Sequence, residues 1–600
     1  MPPFLEKPLP PATEPMVHDE KEALSLELPP TTAALETSKL SIRQRAHWET
    51  TKRLLAQSVN EELAIATIEK STSHSLVLRA PHGTEALAEY DNTWIQCGIS
   101  TEAYLELDGT KCIGFVRAED LRTPVLVGST TTSEVSKELD PIVLCRIICG
   151  WHHKLGDGGE RFTKEIQSST DNQLKWLEIA ATQPRLHLGS PMADWEQSVV
   201  TGHPAHPLHK TCLPRAPLEP ITPEDIPGLL SPEITFISVP RSELRVTGPF
   251  EQLLEPLLQS LKIPQEPNQD DRIIVPCFTR QLPGIVSIFP QTRRIQSIPD
   301  ACRAQISMRS VSFKPEIFSH HLKLSLLVQI TGGLRIVSDS GAVLGPVLSK
   351  ILPNLLPPDV WFFEEPASIT GIQSEVLEAG LISCIIRKLP EQTKSSKEIL
   401  IPGAGLYQKP FNEDQSYMET LFGLDTLQKK QDWFRKYAAL LFSAVMPPLV
   451  RYGIGFESHL QNILVRVNGE TNEITGFAIR DLEGTRIHYP TFLSSGYTLD
   501  GFPKGFKQVT DNLQIPWGHV HHSIIQDNVG PVLHVLGLES NGGWSIVREE
   551  LERVLSGDSN GRALYQFFTK ETMPIPRWID SVDSEAAVLI TFPHGFVIIV

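Results

Sequence analysis

Hydrophobic positions change period along this 600-residue chain, and each change predicts an element. Between Ile42 and Lys70, the residues Trp48, Leu54, Leu55, Val59, Leu63 and Ile65 recur at helical spacing. Order is therefore expected to start near Ser41, with an amphipathic helix. Residues 75–200 mix short strands such as HSLVLRA with helices such as LKWLEIAAT. Strand-like runs follow in ITFISVP, RIIVPCF and LKLSLLVQI. The segment from Tyr417 to Val450 is helical by period and is predicted to stop at Pro447-Pro448, since proline cannot donate to the helix. NILVRV, NGETNE and ITGFAIRD then read as strand, turn and strand. Helices are predicted to dominate 543–570, and the apolar run from Val588 to Val600 reads as a strand or two.

One hydrophobic core stops growing at roughly 250–300 residues, so this length predicts two or three subdomains. Residues 1–40 are rich in Pro, Thr, Ser and Glu and lack period, which predicts a disordered leader. A mostly helical lobe is expected over 41–200. Proline and glycine punctuate 202–235 and open a second lobe over 201–400, and a third covers 401–600.

Composition changes the picture in three ways. With 40% hydrophobic and 21% charged residues, the chain can bury large cores. A net charge of −17 argues against a nucleic-acid groove and against anionic membrane surfaces. No run approaches the ~20 apolar residues of a membrane helix, and the N-terminus lacks a signal core, so a cytoplasmic protein is expected. The eight cysteines are scattered, unlike a disulfide scaffold. Cys145, Cys149, His152 and His153 could suggest zinc. A buried helical Cys pair followed by a polar loop, KLGDGGE, is the preferred reading.

Three segments carry candidate chemistry. In the hairpin, pairing Val467 with Ile474 would set Asn462 opposite Ile479. Asp481, two residues on, would share the face of Asn462, at roughly 7 Å. With Glu457 and His459 just upstream, oxygen donors could converge on one Mg²⁺. An exposed polar hairpin end is the alternative.

The second segment holds Ser307, Arg309, Lys323, Thr331 and Arg335. Arg offers a bidentate fork and Lys a point charge, both suited to phosphates and carboxylates. On a straight strand Lys323 and Thr331 would stand about 26 Å apart, so either the strand bends, which Gly332-Gly333 would allow, or the two serve opposite ends of a long ligand. The alternative is a strand with a solvated polar face. The third segment, GHPAHPLHK, fixes His203, His206, His209 and Lys210 in a stiff loop as a cationic or hydrogen-bonding patch. No P-loop or dinucleotide fingerprint occurs. Gly557-Asp-Ser-Asn-Gly561 lies between helices, so it is a chance match to the hydrolase pattern.

These three segments, in their chain order of histidine loop, central strands and hairpin, resemble the IucA/IucC family, the siderophore synthetases that work without a peptide-synthetase template. The likeness spans about residues 42–490. It implies an α+β fold likened to a cupped hand, with thumb, fingers and palm, mainly antiparallel sheets and flanking helices. It also implies a ligase: ATP adenylates a carboxylic acid such as citrate, then an amine or alcohol displaces AMP. By motif position, His203 or His206, Lys210, Ser307, Arg309, Lys323 and Thr331 would hold ATP. Thr331, Arg335 and His459 would meet the carboxylate, and His459, Arg335 and Lys323 would be catalytic. Glu457, Asn462 and Asp481 would bind Mg²⁺. A homodimer is implied by resemblance alone. The loop after RDLEGTR, HYPTFLSSGYTLDGFPKGF, matches no known pattern and leaves the acid and the nucleophile open. A kinase-like phosphotransferase and a non-catalytic nucleotide or acid binder are the competing readings.

Overall fold

The computed structural model describes residues 40–570 except 69–73, 101–103, 108–109, 114–115, 153–156, 266–270, 391–396 and 503–504. It also describes two short strands, Ile575–Pro576 and Leu589–Ile590. The expected leader, His153 and most of the 588–600 run lie outside the described residues.

Three large hydrophobic cores organise the chain. The first buries Trp48, Leu54, Leu55, Ile95, Leu144, Trp151 and Phe162. Around it, helices Ile42–Asn60, Pro141–Gly150 and Asp157–Ala180 accompany a five-stranded antiparallel sheet. The Ser41 side chain and Gln44 form a capping box that starts the first helix. That helix ends at Asn60, earlier than its period predicts, because Glu62 turns left-handed (φ 60°) and Ile65–Ile68 becomes a strand. Cys145 and Cys149 are one turn apart on a helix, with sulfurs 4.0 Å apart. The predicted polar loop after them is helical from Asp157 onward.

The second core draws on Trp176 and on residues between 212 and 386. It lies between a six-stranded sheet, ordered 244–247, 364–371, 384–388, 320–324, 310–312 and 303–304, and a three-stranded sheet centred on Ile234–Pro240. The third core gathers helix Leu427–Tyr452, the hairpin Ile463–Asn468 and Ile474–Ile479, and the helices from 514 to 568. Helix Asp339–Leu355 lies within the 201–400 stretch yet buries Leu344, Leu348 and Leu352 in this third core. Among the described residues all strand pairs are antiparallel, apart from 361–362 with 478–479 and 487–488 with 509–510. The architecture is α+β. No described helix is long and apolar enough to cross a membrane.

The predicted Tyr417–Val450 helix is two helices, Tyr417–Leu421 and Leu427–Tyr452, separated at Gly423 (φ 62°). The second runs through Pro447 and Pro448 and ends at Gly453 (φ 67°). Each proline lacks the N–H that would bond four residues back, so the last two turns lose two ladder bonds, and the helix continues only five residues past Pro447. The Gly557–Gly561 segment is a capping loop, since the Asp558 side chain accepts from Gly561 N at 2.8 Å.

Candidate active site

The strand expected over 322–330 is broken in two. His320–Leu324 belongs to the six-stranded sheet and Leu326–Ile330 to a separate three-stranded sheet. Ser325, at the break, donates to Gly380 O and accepts from Val337 N. The chain then reverses, and Gly333–Arg335 pairs back along Leu326–Ile330, with Arg335 opposite Leu326. Thr331, not a glycine, takes the left-handed conformation at the reversal (φ 59°). This return removes the distance problem of a straight strand: Arg335 comes back to within three residues' register of Lys323. The polar face is not solvated either. Lys323 is 1% exposed and Ser325 2%.

Buried Lys323 needs compensating charge, and the end of the hairpin supplies it. Its Nζ donates to Asp481 Oδ1 at 2.5 Å and to Glu483 Oε2 at 2.8 Å. Arg309 Nη2 approaches the same Glu483 oxygen at 3.4 Å. Glu483 Oε1 accepts from Ser338 N and Oγ, at the start of helix Asp339–Leu355. Burial pushes the Glu483 carboxyl up, but Lys323 and Arg309 outweigh it and hold it down at about 2. Asp481 is likewise buried, and Lys323, Arg387 and Arg309 draw it below the usual carboxylate range. Burial and the nearby Arg309 charge lower Arg335 to about 10, while Asp481 and Glu457 oppose the shift, so Arg335 stays cationic. Nε of Arg309 and Nε of Arg335 are buried without hydrogen-bond partners among the described residues. Such donors suit an anion.

Asp481 leaves the hairpin strand in a left-handed conformation (φ 71°, ψ 75°). The register also differs from expectation: Ile479 pairs with Ile463, not Asn462, because a bulge intervenes between Arg466 and Val467. Asn462 is 2% exposed, and its Nδ2 lies 3.3 Å from Glu457 Oε2 and 3.3 Å from His459 Nε2. Glu457 packs against Gly484, adjacent to Glu483. Carboxylate and amide oxygens at 457, 462 and 481 are hard donors of the kind Mg²⁺ takes, and rotating the Asn462 amide would present its Oδ1. Among the described residues no three His, Cys, Asp or Glu side chains converge to hold an ion alone, so phosphate oxygens would have to complete the shell.

The histidine loop closes the site. His206 Nε2 lies 2.8 Å from where a Cβ on Gly332 would stand, beside Thr331. His203 is lowered to about 4, chiefly by burial. Asp527 opposes that shift, and His459 and His522 add to it. His206 falls well below its ordinary value through burial and the neighbouring His203. Both imidazoles are therefore neutral near pH 7 and act as hydrogen-bonding groups, not cations. Lys210 turns away: its Nζ donates to Val199 O at 2.8 Å and sits 3.6 Å from the Trp176 ring centre. Ser307 Oγ accepts from Ser310 N, fixing the turn that carries Arg309.

Sequence reasoning missed Glu483, Glu196 and Arg480. Glu196 and Arg480 form a bidentate pair, 0% and 4% exposed. Glu196 also accepts from Ile306 N at 3.1 Å. That pair ties the turn holding Arg309 to the residue before Asp481. The alternating acid and base in RDLEGTR were the available signal for Glu483. Nothing local marked Glu196.

Residues 191–408 match the IucA / IucC family, and residues 431–577 match a family described as ferric iron reductase FhuF-like transporter. The latter segment contains no cysteine, so it has no thiolate for an iron–sulfur cluster. The chain is 36% identical over 549 residues to an NRPS-independent siderophore synthetase-like protein, ankE, of Aspergillus thermomutatus, covering 89% of this chain and 90% of that one. It is 26% identical over 282 residues to a D-ornithine–citrate ligase of Staphylococcus aureus, 42% of each chain. The fold is that of ATP-bound aerobactin synthetase IucA from Klebsiella pneumoniae, with a TM-score of 0.68, 14% identity, and coverage of 92% and 99%. Identity of this extent over nine-tenths of a relative, with the matching central segment, shows that the chain belongs to the IucA/IucC family of ATP-dependent ligases, the NRPS-independent siderophore synthetases.

Proposed function

We propose that this ligase adenylates a polycarboxylic acid of the citrate type and condenses it with an amine or alcohol, releasing pyrophosphate and then AMP, in siderophore or related secondary metabolism. One observation supports the reading: three distant segments come into contact with one another. Lys323 joins the central segment to the hairpin through Asp481 and Glu483. His206 meets Gly332, and the His203 imidazole feels the charges of Asp527 and His459, which links the histidine loop to the other two segments. The citrate-ligase name of a relative supports the choice of acid.

In this reading Arg309 and Lys323 balance the charge that builds on the phosphates as the acid attacks. Arg335, with its unused Nε, receives the substrate carboxylate, and Thr331 lines the same turn. His459 contacts the acid from the opposite wall, and neutral His203 or His206 donates to the nucleotide. Ser307 holds the Arg309 turn. Glu457, Asn462 and Asp481 would hold Mg²⁺, which, when bound, supplies charge neutralisation for the polyphosphate. The reaction would run in the cytosol, where ATP is supplied, on a homodimer.

Incubation with ATP, Mg²⁺, hydroxylamine and a panel of polycarboxylic acids tests the reading. Acid-dependent pyrophosphate and hydroxamate are expected. ADP and phosphate alone would instead indicate a phosphotransferase, and nucleotide binding without turnover a sensor.

A further inference from the structure

The segment from Gln514 to Leu536 winds in three styles: α over Gln514–His521, π over His522–Val529, and α again over Gly530–Leu536. A π-turn is rare, and such turns cluster at functional sites. In an α-helix, residues five apart point about 140° away from each other. The wider π-turn instead brings His522 Nε2 to 3.1 Å from Asp527 Oδ2. The pair exists because of the irregular winding.

Two bonds fasten this turn to the motif loop. Leu460 N donates to Asp527 O at 3.3 Å, and Asn528 Nδ2 donates to Ser458 O at 2.8 Å. Tyr437 OH holds the other end of the Asn528 amide at 2.6 Å. The Asp527 side chain is 18% exposed and acts electrostatically on His203, which also responds to His459. One turn earlier, His519 Nε2 is buried without a hydrogen-bond partner among the described residues, beside His522. A carboxylate and an unused imidazole nitrogen thus stand on a turn bonded to the loop that carries His459.

We infer that Asp527 binds a non-reacting ammonium group of the second substrate, a polyamine whose other, neutral amine attacks the acyl-adenylate carbon to form an amide as AMP leaves and the amine proton passes to solvent. His522 is a positioning residue that orients the carboxylate. This assignment rests on the ligase reading above. Arg309 and Arg335 take the anionic acid and nucleotide, and Asp527 is the acid placed to attract a cation among the histidines.

The test uses the full-length enzyme with citrate, ATP and Mg²⁺ at pH 7.5. Three nucleophiles are compared: 1,5-diaminopentane, uncharged hydroxylamine, and glycerol. Acid-dependent ATP–pyrophosphate exchange is measured in parallel and reports the first half-reaction. Asp527→Asn should lower kcat/KM for the diamine at least tenfold more than it lowers exchange or hydroxylamine trapping, chiefly through KM. Asp527→Glu should recover part of the loss. Equal losses in all three readouts, or no change in the diamine KM, would overturn the assignment. So would a wild-type enzyme that exchanges pyrophosphate but esterifies glycerol in preference to the diamine. Absence of exchange in the wild type would instead overturn the ligase reading, and this assignment with it.

Discussion

Lys323 Nζ is bonded to Asp481 and Glu483 at once, across about 160 residues of sequence, with 1% of the side chain exposed. Removing one member of a buried ion cluster leaves its partners desolvated and unpaired, which costs about 3–5 kcal/mol. Lys323→Met should therefore destabilise the fold by about that amount, as read from urea unfolding. Arg309 remains near Glu483 but is 3.4 Å away and shared with Ile336 O. Acid-dependent pyrophosphate exchange should fall by roughly a hundredfold or more, as expected for a lost preorganised cation. Full stability with lost exchange would make Lys323 purely a substrate group.

The same cluster sets an acid limit. The Glu483 carboxyl titrates near 4.5 in an unfolded chain and at about 2 here. As pH falls below about 4.5, the unfolded chain takes up this proton before the folded one does. The stability that Glu483 contributes is thus fully present above that pH and is lost as pH falls toward 2. Glu483→Gln should be less stable than wild type at pH 7, and the gap should narrow steadily between pH 4.5 and 3. Urea midpoints at pH 7, 4 and 3 check this. A gap independent of pH would place the Glu483 contribution in its geometry, not its charge.

The pieces of this site that were legible in sequence were those marked by local pattern. His203, Arg309, Lys323, Arg335, Asn462 and Asp481 lie in short polar stretches flanked by apolar runs, where buried polar groups are costly without a purpose. What pattern could not reveal were long-range and backbone effects. The break at Ser325 depends on Gly380 O, which lies 55 residues away. The one-residue register difference comes from a bulge that has no obvious local residue signal. The role of Lys210 depends on the position of Trp176. The π-turn that pairs His522 with Asp527 looks, in sequence, like any apolar helix.

Glu196 tests whether the site is held by elements remote from it. Its carboxylate receives both terminal nitrogens of Arg480 and the backbone of Ile306. Glu196→Ala strands a buried guanidinium and frees the Arg309 turn at once. A loss of about 3–5 kcal/mol in urea unfolding is expected, with a larger proportional loss of exchange than a distant core substitution of equal cost produces. Arg480 retains Gln461 O as acceptor, at 3.0 and 2.6 Å, so the variant should still fold. If exchange in the variant tracks stability alone, Glu196 supports the core and does not position the turn.

Gly484 offers a way to disturb the proposed metal site without removing a ligand. A Cβ there would stand 2.4 Å from Glu457 Oε2 and 2.9 Å from its Cβ. Gly484 is not in the left-handed region, so alanine brings no backbone strain of that kind. The contact with the Glu457 Cβ can be relieved only by a small backbone shift, while the carboxylate, on a side chain 35% exposed, can rotate aside. Doing so would draw its carboxylate off Asn462 Nδ2, to which it now lies at 3.3 Å. Gly484→Ala should therefore cost about 1–3 kcal/mol in urea unfolding and raise the half-saturating Mg²⁺ concentration about tenfold, in line with what outer groups around a metal contribute. Saturating Mg²⁺ should restore most of the pyrophosphate exchange. An unchanged Mg²⁺ requirement would remove Glu457 from the proposed ligands and leave the metal to Asn462, Asp481 and the nucleotide.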